Sequence, residues 1–510
     1  MMGRGAGFSP LRRTYFPGFL SLLLLFFVCC LRAEPPPLDG LYPAGGERGT
    51  TNSVTAIGKF ASWPPQVWIN DGGLTFTAET NKGKFSVAIA ADALPGPRLV
   101  RLYNEDGTSE PRFFVVGGGR ELTEVEPNNR FAKPQPIPAL PTTINGRLDK
   151  NGDVDSFAIH LRAGEWIDAR VDSYTLMSKV DAVLRLVTTN GQQLAWNHDF
   201  VTLDPRLAWR ASNDGPVVLQ IFGFAYPPGS DIGFTGGDAV AYRLHLALTN
   251  AARLCDSPIA EEAREASAEP IDLPVVIRGN IGTGGEEDRF QFTAKKNEFV
   301  ELVVDAASIG SPLDAWLKIE DPAGQQLARN DDAEGSRDPR LEWKAPTNGT
   351  FVLALGSVTH RGGKDFCYRL NVKQAGPDIR ATLSASALVL TSGATNDLNM
   401  EFKRLRGLTN ELSVSIHDLP PGVTFVSTNL PAKDGPVSLQ FVAEKEAPPF
   451  QGPIRVAVIV RATQEERVVP FELTTRGETG YAHLLVEADD RVWLTVRRQP
   501  PEEKKPDKRK

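Results

Sequence analysis

Cysteine, histidine and methionine are scarce in this chain of 510 residues, which holds 4 Cys, 6 His and 4 Met. Cys29 and Cys30 sit in an N-terminal apolar run, so only Cys255 and Cys367 remain for the body of the protein. In an oxidising compartment they pair, closing a loop worth roughly 4 kcal/mol, or they stay as two buried free thiols. The histidines, His160, His198, His245, His360, His417 and His483, stand singly. There is no His-Glu-x-x-His, no Gly-x-Ser-x-Gly and no Gly-x-x-x-x-Gly-Lys, which removes the local signatures of zinc proteases, serine hydrolases and phosphate-binding loops. A triad assembled from distant positions needs no such signature, but no domain-sized segment is left to house one.

Positive charge is also short. Lys and Arg total 56 against 63 Asp and Glu, a formal charge of −7. Residues 1–33 contain Arg4, Arg12, Arg13 and Arg32 and no acid, so the remainder is more acidic still. Such a surface repels phosphate backbones, which argues against nucleic acid and in favour of divalent cations as partners. Arg12 and Arg13 precede the apolar run 19–31, which has the length of a secretory signal and is short for a stable span. Residues 1–33 are read as a signal peptide cleaved after Ala33, with an uncleaved anchor as the alternative, and no later stretch is apolar enough to cross a bilayer. The expected location is secreted, periplasmic or cell-envelope.

What the sequence has in plenty is Gly (46) and Pro (39), spread along the chain, and short runs in which apolar and polar residues alternate. This pattern describes strands and turns rather than long helices. It also contains an internal repeat. Ile144-Asn145-Gly146 returns 133 residues later as Ile277-Arg278-Gly279, and Asp155-Ser156-Phe157 returns as Asp288-Arg289-Phe290. Gly191-Gln192-Gln193-Leu194-Ala195 returns as Gly324-Gln325-Gln326-Leu327-Ala328, and Tyr242-Arg243-Leu244 as Tyr368-Arg369-Leu370. With about eight strand runs in ~125 residues, a two-sheet sandwich buries one face of each strand. Residues 38–119 and 376–496 read as further β-domains, and 497–510 as a charged solvated tail. Trp209 and Trp343 recur in alternating runs and read as core or sheet-face residues rather than sugar platforms.

The set Glu124-Val125-Glu126-Pro127-Asn128-Asn129 followed by Asp153-Val154-Asp155-Ser156-Phe157 resembles the bacterial pre-peptidase C-terminal (PPC) domain over residues 120–250, and 251–375 resembles a second tandem copy. The segment 38–119, from Gly40-Leu41-Tyr42-Pro43, is similar to the transcription-factor-like immunoglobulin (IPT/TIG-like) domains. Pro-Gly turns such as Pro420-Pro421-Gly422 make 376–496 similar to an immunoglobulin-like sandwich. The arrangement resembles large exported proteins of planctomycete-type bacteria. The resemblance implies an all-β fold of four tandem sandwiches, two of them jelly-roll-like. It also implies calcium held by Glu124, Glu126, Asn128, Asp153 and Asp155, with Asn129 a weaker candidate. Ca²⁺ wants six to eight oxygens, which two short acidic segments can supply; a solvated acidic linker is the alternative reading. The second copy departs from the pattern at Glu261-Glu262 and Glu286-Glu287-Asp288. Its Asn330-Asp331-Asp332 and Asp338, like Asn197-His198-Asp199 and Asp204, read as loop caps or as a separate cation site.

The expected function is that of an exported, non-catalytic multi-domain binding or adhesion protein engaging an extracellular protein or polysaccharide. A secreted peptidase or glycan hydrolase, or an accessory subunit of one, is the alternative. The short linkers near residues 120, 251 and 375 predict an elongated monomer.

Overall fold

The computed structural model describes residues 34–200, 202–226, 230, 233–249, 269–333, 336–426, 429–475 and 484–499. The signal segment, Cys255, the lead-in at Glu261 and the tail from Pro500 lie outside them. Among the described residues the elements are strands, joined by two 3-10 turns at Tyr174–Leu176 and Ala307–Ile309. The strands form eight sheets, two in each of four consecutive stretches of chain, and no sheet mixes strands from two stretches. The protein is an all-β, multi-domain sandwich protein, and the alternation seen in its sequence is the cause. In Lys84–Ile89, for example, Phe85, Val87 and Ile89 are buried while the residues between them are not. Each apolar side chain so buried contributes about 1.5–3 kcal/mol. No helix among the described residues is long and apolar enough to cross a membrane.

The internal repeat extends to topology. In one sheet of the first copy the order is Gln135–Pro136, Asp155–Leu161, Gly215–Ala225, Val180–Thr188, Gln193–Asn197; in the second it is Glu269–Pro270, Glu287–Ala294, Gly349–Ser357, Ala315–Glu320, Gln326–Asn330. The facing sheets also agree over the described residues, where the first copy carries Glu121–Thr123 as an additional edge strand. A register shift falls between Leu186 and Val187 in one copy and between Ile319 and Glu320 in the other. Each copy has its own core, around Phe157, Leu184 and Tyr242 in the first and Phe292, Leu317 and Tyr368 in the second. Trp343 is buried in the second core and Trp209 packs half-buried against the first. Cys367 is disulfide-bonded.

The four sandwiches do not form a string in which only sequence neighbours touch. Arg101 of the first, 1% exposed, donates to Ser109 O (2.9 Å) and across to Ser386 O of the fourth (3.0 Å). Trp493 of the fourth sandwich packs edge-on to Trp68 (5.7 Å between centroids) and against Tyr103 (4.7 Å). Arg406 spans from Glu342 of the third (3.0 Å) to Asp378 (3.0 Å). Short linkers fix how far neighbours can separate, but they do not forbid a return, and buried aromatic area favours one.

Candidate metal centre

The lead-in to the first copy runs along one edge of its sandwich. Glu121–Thr123 pairs in parallel with Thr142–Arg147, and Gln135–Pro136 pairs in parallel with Asp155–Leu161. The segment between them is thereby laid over the turn that leads into Asp155. Backbone bonds hold it there, with Glu124 N donating to Asn145 O (3.0 Å) and Ser156 N donating to Asn128 O (3.2 Å).

Glu126, Asp153 and Asp155 each bring a carboxylate oxygen within 4.8 Å of the other two. Asn128 N donates to Glu126 Oε2 (3.0 Å). Asp153 accepts from Asp149 N (2.7 Å), Val154 N (3.1 Å) and the Asn129 amide. Asn128 is 1% exposed, yet among the described residues neither its Oδ1 nor its Nδ2 has a hydrogen-bond partner, and the same holds for Asp155 Oδ1. Buried polar atoms left so cost about 1–3 kcal/mol each.

Glu124 stands one hydroxyl away from this trio. Its Oε1 accepts from Tyr42 of the first sandwich (3.1 Å) and from Arg147 N (2.8 Å), while Tyr242 offers its hydroxyl to Glu124 Oε2 (3.1 Å) and to Asp155 Oδ2 (2.6 Å). Burial, then the Glu124 charge, pushes the Asp155 carboxyl well above the carboxylate range. Burial raises Glu124 as well, against the pull of its hydrogen bonds. The apposition thus gathers Glu126, Asp153 and Asp155, ties the Asn128 backbone to Glu126 and Ser156, and leaves Glu124 bonded to Tyr42, Arg147 and Tyr242.

Tyr242 is the residue that sequence reasoning missed. A Cβ on Gly146 would fall 2.1 Å from the Tyr242 ring, and one on Gly279 would fall 2.2 Å from Tyr368. The hydroxyl of Tyr368 in turn donates to Asp288. The signal was present, because Gly146, Asp155 and Tyr242 all recur in order in the second copy. In that copy Glu286 caps Thr283 N (2.7 Å) and Glu287 pairs with Arg289 (3.1 Å) and Lys318 (3.6 Å), so both are taken up by protein groups.

The Asp/Asn loops divide between the two readings. Asp204 accepts from the backbone of Ser173, Tyr174 and Thr175 (2.7, 2.7 and 3.0 Å), and Asp338 does the same for Ala307 and Ser308 (2.7 and 2.8 Å). Asn197 and Asn330 likewise cap their own loops, through Asp199 O (2.9 Å) and Asp332 O (2.8 Å). Asp181, His198 and Asp199 instead cluster with each other.

No protein-family model matches the chain. Over 78 residues it is 38% identical to the probable subtilase-type serine protease of Deinococcus radiodurans, a stretch that is 15% of this chain and 11% of that relative. The chain therefore spans about a tenth of the curated relative it matches. Among solved structures it is similar to the pre-peptidase C-terminal domain of a Bacillus anthracis collagenase (17% identity, 22% of this chain and all of that one, TM-score 0.18). It is also similar to PliG, a periplasmic inhibitor of g-type lysozyme from Aeromonas hydrophila (15% identity, 21% of this chain and 96% of that one, TM-score 0.18).

Proposed function

We propose that this chain is an exported, non-catalytic binding protein. In this reading two tandem PPC-like sandwiches, set between immunoglobulin-like ones, present loops to an extracellular protein or polysaccharide, and the first copy is held by calcium. The observation that carries the calcium assignment is the convergence of the Glu126, Asp153 and Asp155 carboxylates, with a buried Asn128 side chain, unpartnered among the described residues, on the same segment as Glu126. Glu126, Asp153, Asp155 and the Asn128 carbonyl are hard oxygen donors of the kind Ca²⁺ takes, and Glu124 is linked to Asp155 through the Tyr242 hydroxyl. A cation there neutralises carboxylates that otherwise repel, and it locks the lead-in to the sandwich. The stretch shared with a subtilase-type protease favours a second reading, in which the chain is an accessory subunit of a peptidase.

Calorimetric titration of the full chain with Ca²⁺ tests the site. Heat of binding and a raised unfolding temperature are expected, and both are expected to vanish in Asp153→Asn and Asp155→Asn. No heat and no thermal shift at millimolar ion would discard the site. A glycan array and pull-downs address the binding role. Turnover of a protein or glycan substrate that one carboxylate substitution abolishes would replace that role with an enzymatic one.

A further inference from the structure

A second cluster lies apart from the one just described. Asp181 is near the start of the strand Val180–Thr188, whose partner Gln193–Asn197 runs on into His198 and Asp199. One oxygen or nitrogen from each of Asp181, His198 and Asp199 lies within 4.8 Å of the others. Asp181 Oδ1 is buried and has no hydrogen-bond partner among the described residues. Burial, then the charge of Asp199, raises the Asp181 carboxyl to about 6, with His198 opposing. The imidazole is held in place, with Nδ1 2.9 Å from Asp199 Oδ2 and its ring stacked on Trp196 at 5.3 Å and 18°.

The second copy shows the same place with protein cations supplied. Asp314 and Asp332 stand where the first copy has Asp181 and Asp199, but Asp331 replaces His198 and Arg329 replaces Trp196. Arg329 lies 3.9 Å from Asp331. Burial raises the Asp314 carboxyl, and the charge of Arg337 opposes that rise. At the corresponding positions the first copy has Trp196 and Leu203, so an imidazole and two carboxylates stand there with no arginine at either position. Among the described residues the second copy brings no such three-donor group together.

We propose that Asp181, His198 and Asp199 bind a divalent transition-metal ion of the zinc or nickel class. One imidazole nitrogen with two carboxylate oxygens suits borderline ions, whereas calcium takes oxygen alone. His198 and Asp199 are each 47% exposed, so an ion can enter from solvent, and three protein donors leave a position for water. The ion ties the loop after Gln193–Asn197 to the strand that carries Asp181. This site is independent of the calcium assignment.

The test is titration of the full chain with Zn²⁺, in saturating Ca²⁺, followed by calorimetry. One equivalent is expected to bind, and His198→Ala and Asp181→Asn are each expected to weaken it at least about tenfold. Trp196→Arg, which places a guanidinium where the second copy has Arg329, is expected to weaken it as well. His198 is exposed, so its replacement is expected to leave the unfolding transition of the Ca²⁺-loaded protein in place, which separates loss of the site from loss of the fold. Absence of Zn²⁺ binding by the wild type overturns the proposal, as does unchanged affinity in both His198→Ala and Asp181→Asn.

Discussion

At the scale of single residues, the first copy holds a buried polar side chain, Asn128, with no hydrogen-bond partner among the described residues. The Asn128 side chain can offer two hydrogen bonds and accept two, and buried as it is it makes none to the described residues. Replacing it by Ala removes atoms that cost free energy when nothing binds them and that contribute when a cation does. Asn128→Ala is therefore expected to change stability by less than about 1 kcal/mol in chelator. In saturating Ca²⁺ it is expected to lower stability by about 1–3 kcal/mol relative to wild type. Paired thermal melts with and without chelator check both halves, and an equal loss in the two conditions would mean that Asn128 is only a packing residue. That the Glu126 and Asp153-Val154-Asp155 segments come together is what the resemblance to the PPC domain implied, and the three carboxylates do converge. That Glu124 turns to Tyr42 and Tyr242 was not legible in the sequence, because Tyr42 comes from another sandwich and Tyr242 from the far end of the same one, and contacts over such separations leave no local pattern.

At the scale of elements, the second copy shows how strands are stitched where no cation is invoked. Glu301 on Phe299–Asp305 pairs with Arg340 of one neighbouring strand and with Lys373 of the other (2.9 Å). Burial alone would raise Glu301, but the Lys373 hydrogen bond and the Arg340 charge outweigh it and hold the carboxyl below its usual value. A depressed folded value means stability that is present above the unfolded glutamate range near ~4.3 and is lost as pH falls through the folded value. Glu301→Gln is expected to cost about 1 kcal/mol at neutral pH, a modest figure because Arg340 and Lys373 are half exposed and screened. Its stability is also expected to fall less steeply than wild type below pH ~4, as urea melts across that range would show. Strand alternation made runs such as Phe290-Gln291-Phe292 and 351–355 readable in advance, since burial of one face imposes a period of two. The 3-10 turns were not readable. Each is three residues long, and each ends in a left-handed residue, Met177 (φ 62°) in one copy and Gly310 (φ 84°) in the other. A Met at that position is not a turn signal, so only the fold reveals the shared geometry.

At the scale of the whole molecule, the contact between the first and fourth sandwiches decides how the chain responds to stress. Arg101 is buried, and burial lowers its guanidinium to about 10 while Glu110 and Asp489 oppose the fall. Its two backbone acceptors belong to different sandwiches, and its guanidinium lies over the Phe471 ring at 5.7 Å. Arg101→Ala leaves Ser109 O and Ser386 O without that donor and opens a gap beside Phe471, so it should cost about 2 kcal/mol. The loss falls on an interface rather than on a core, because the first sandwich keeps its own cluster around Phe85, Val100 and Phe114. Calorimetric unfolding of the variant is thus expected to resolve an earlier transition for the sandwich that has lost its neighbour, ahead of the others. Limited proteolysis is expected to cut first near the linker at residue 120. A single transition at the wild-type temperature would mean that the two sandwiches touch without stabilising one another, and that each of the four stands on its own core.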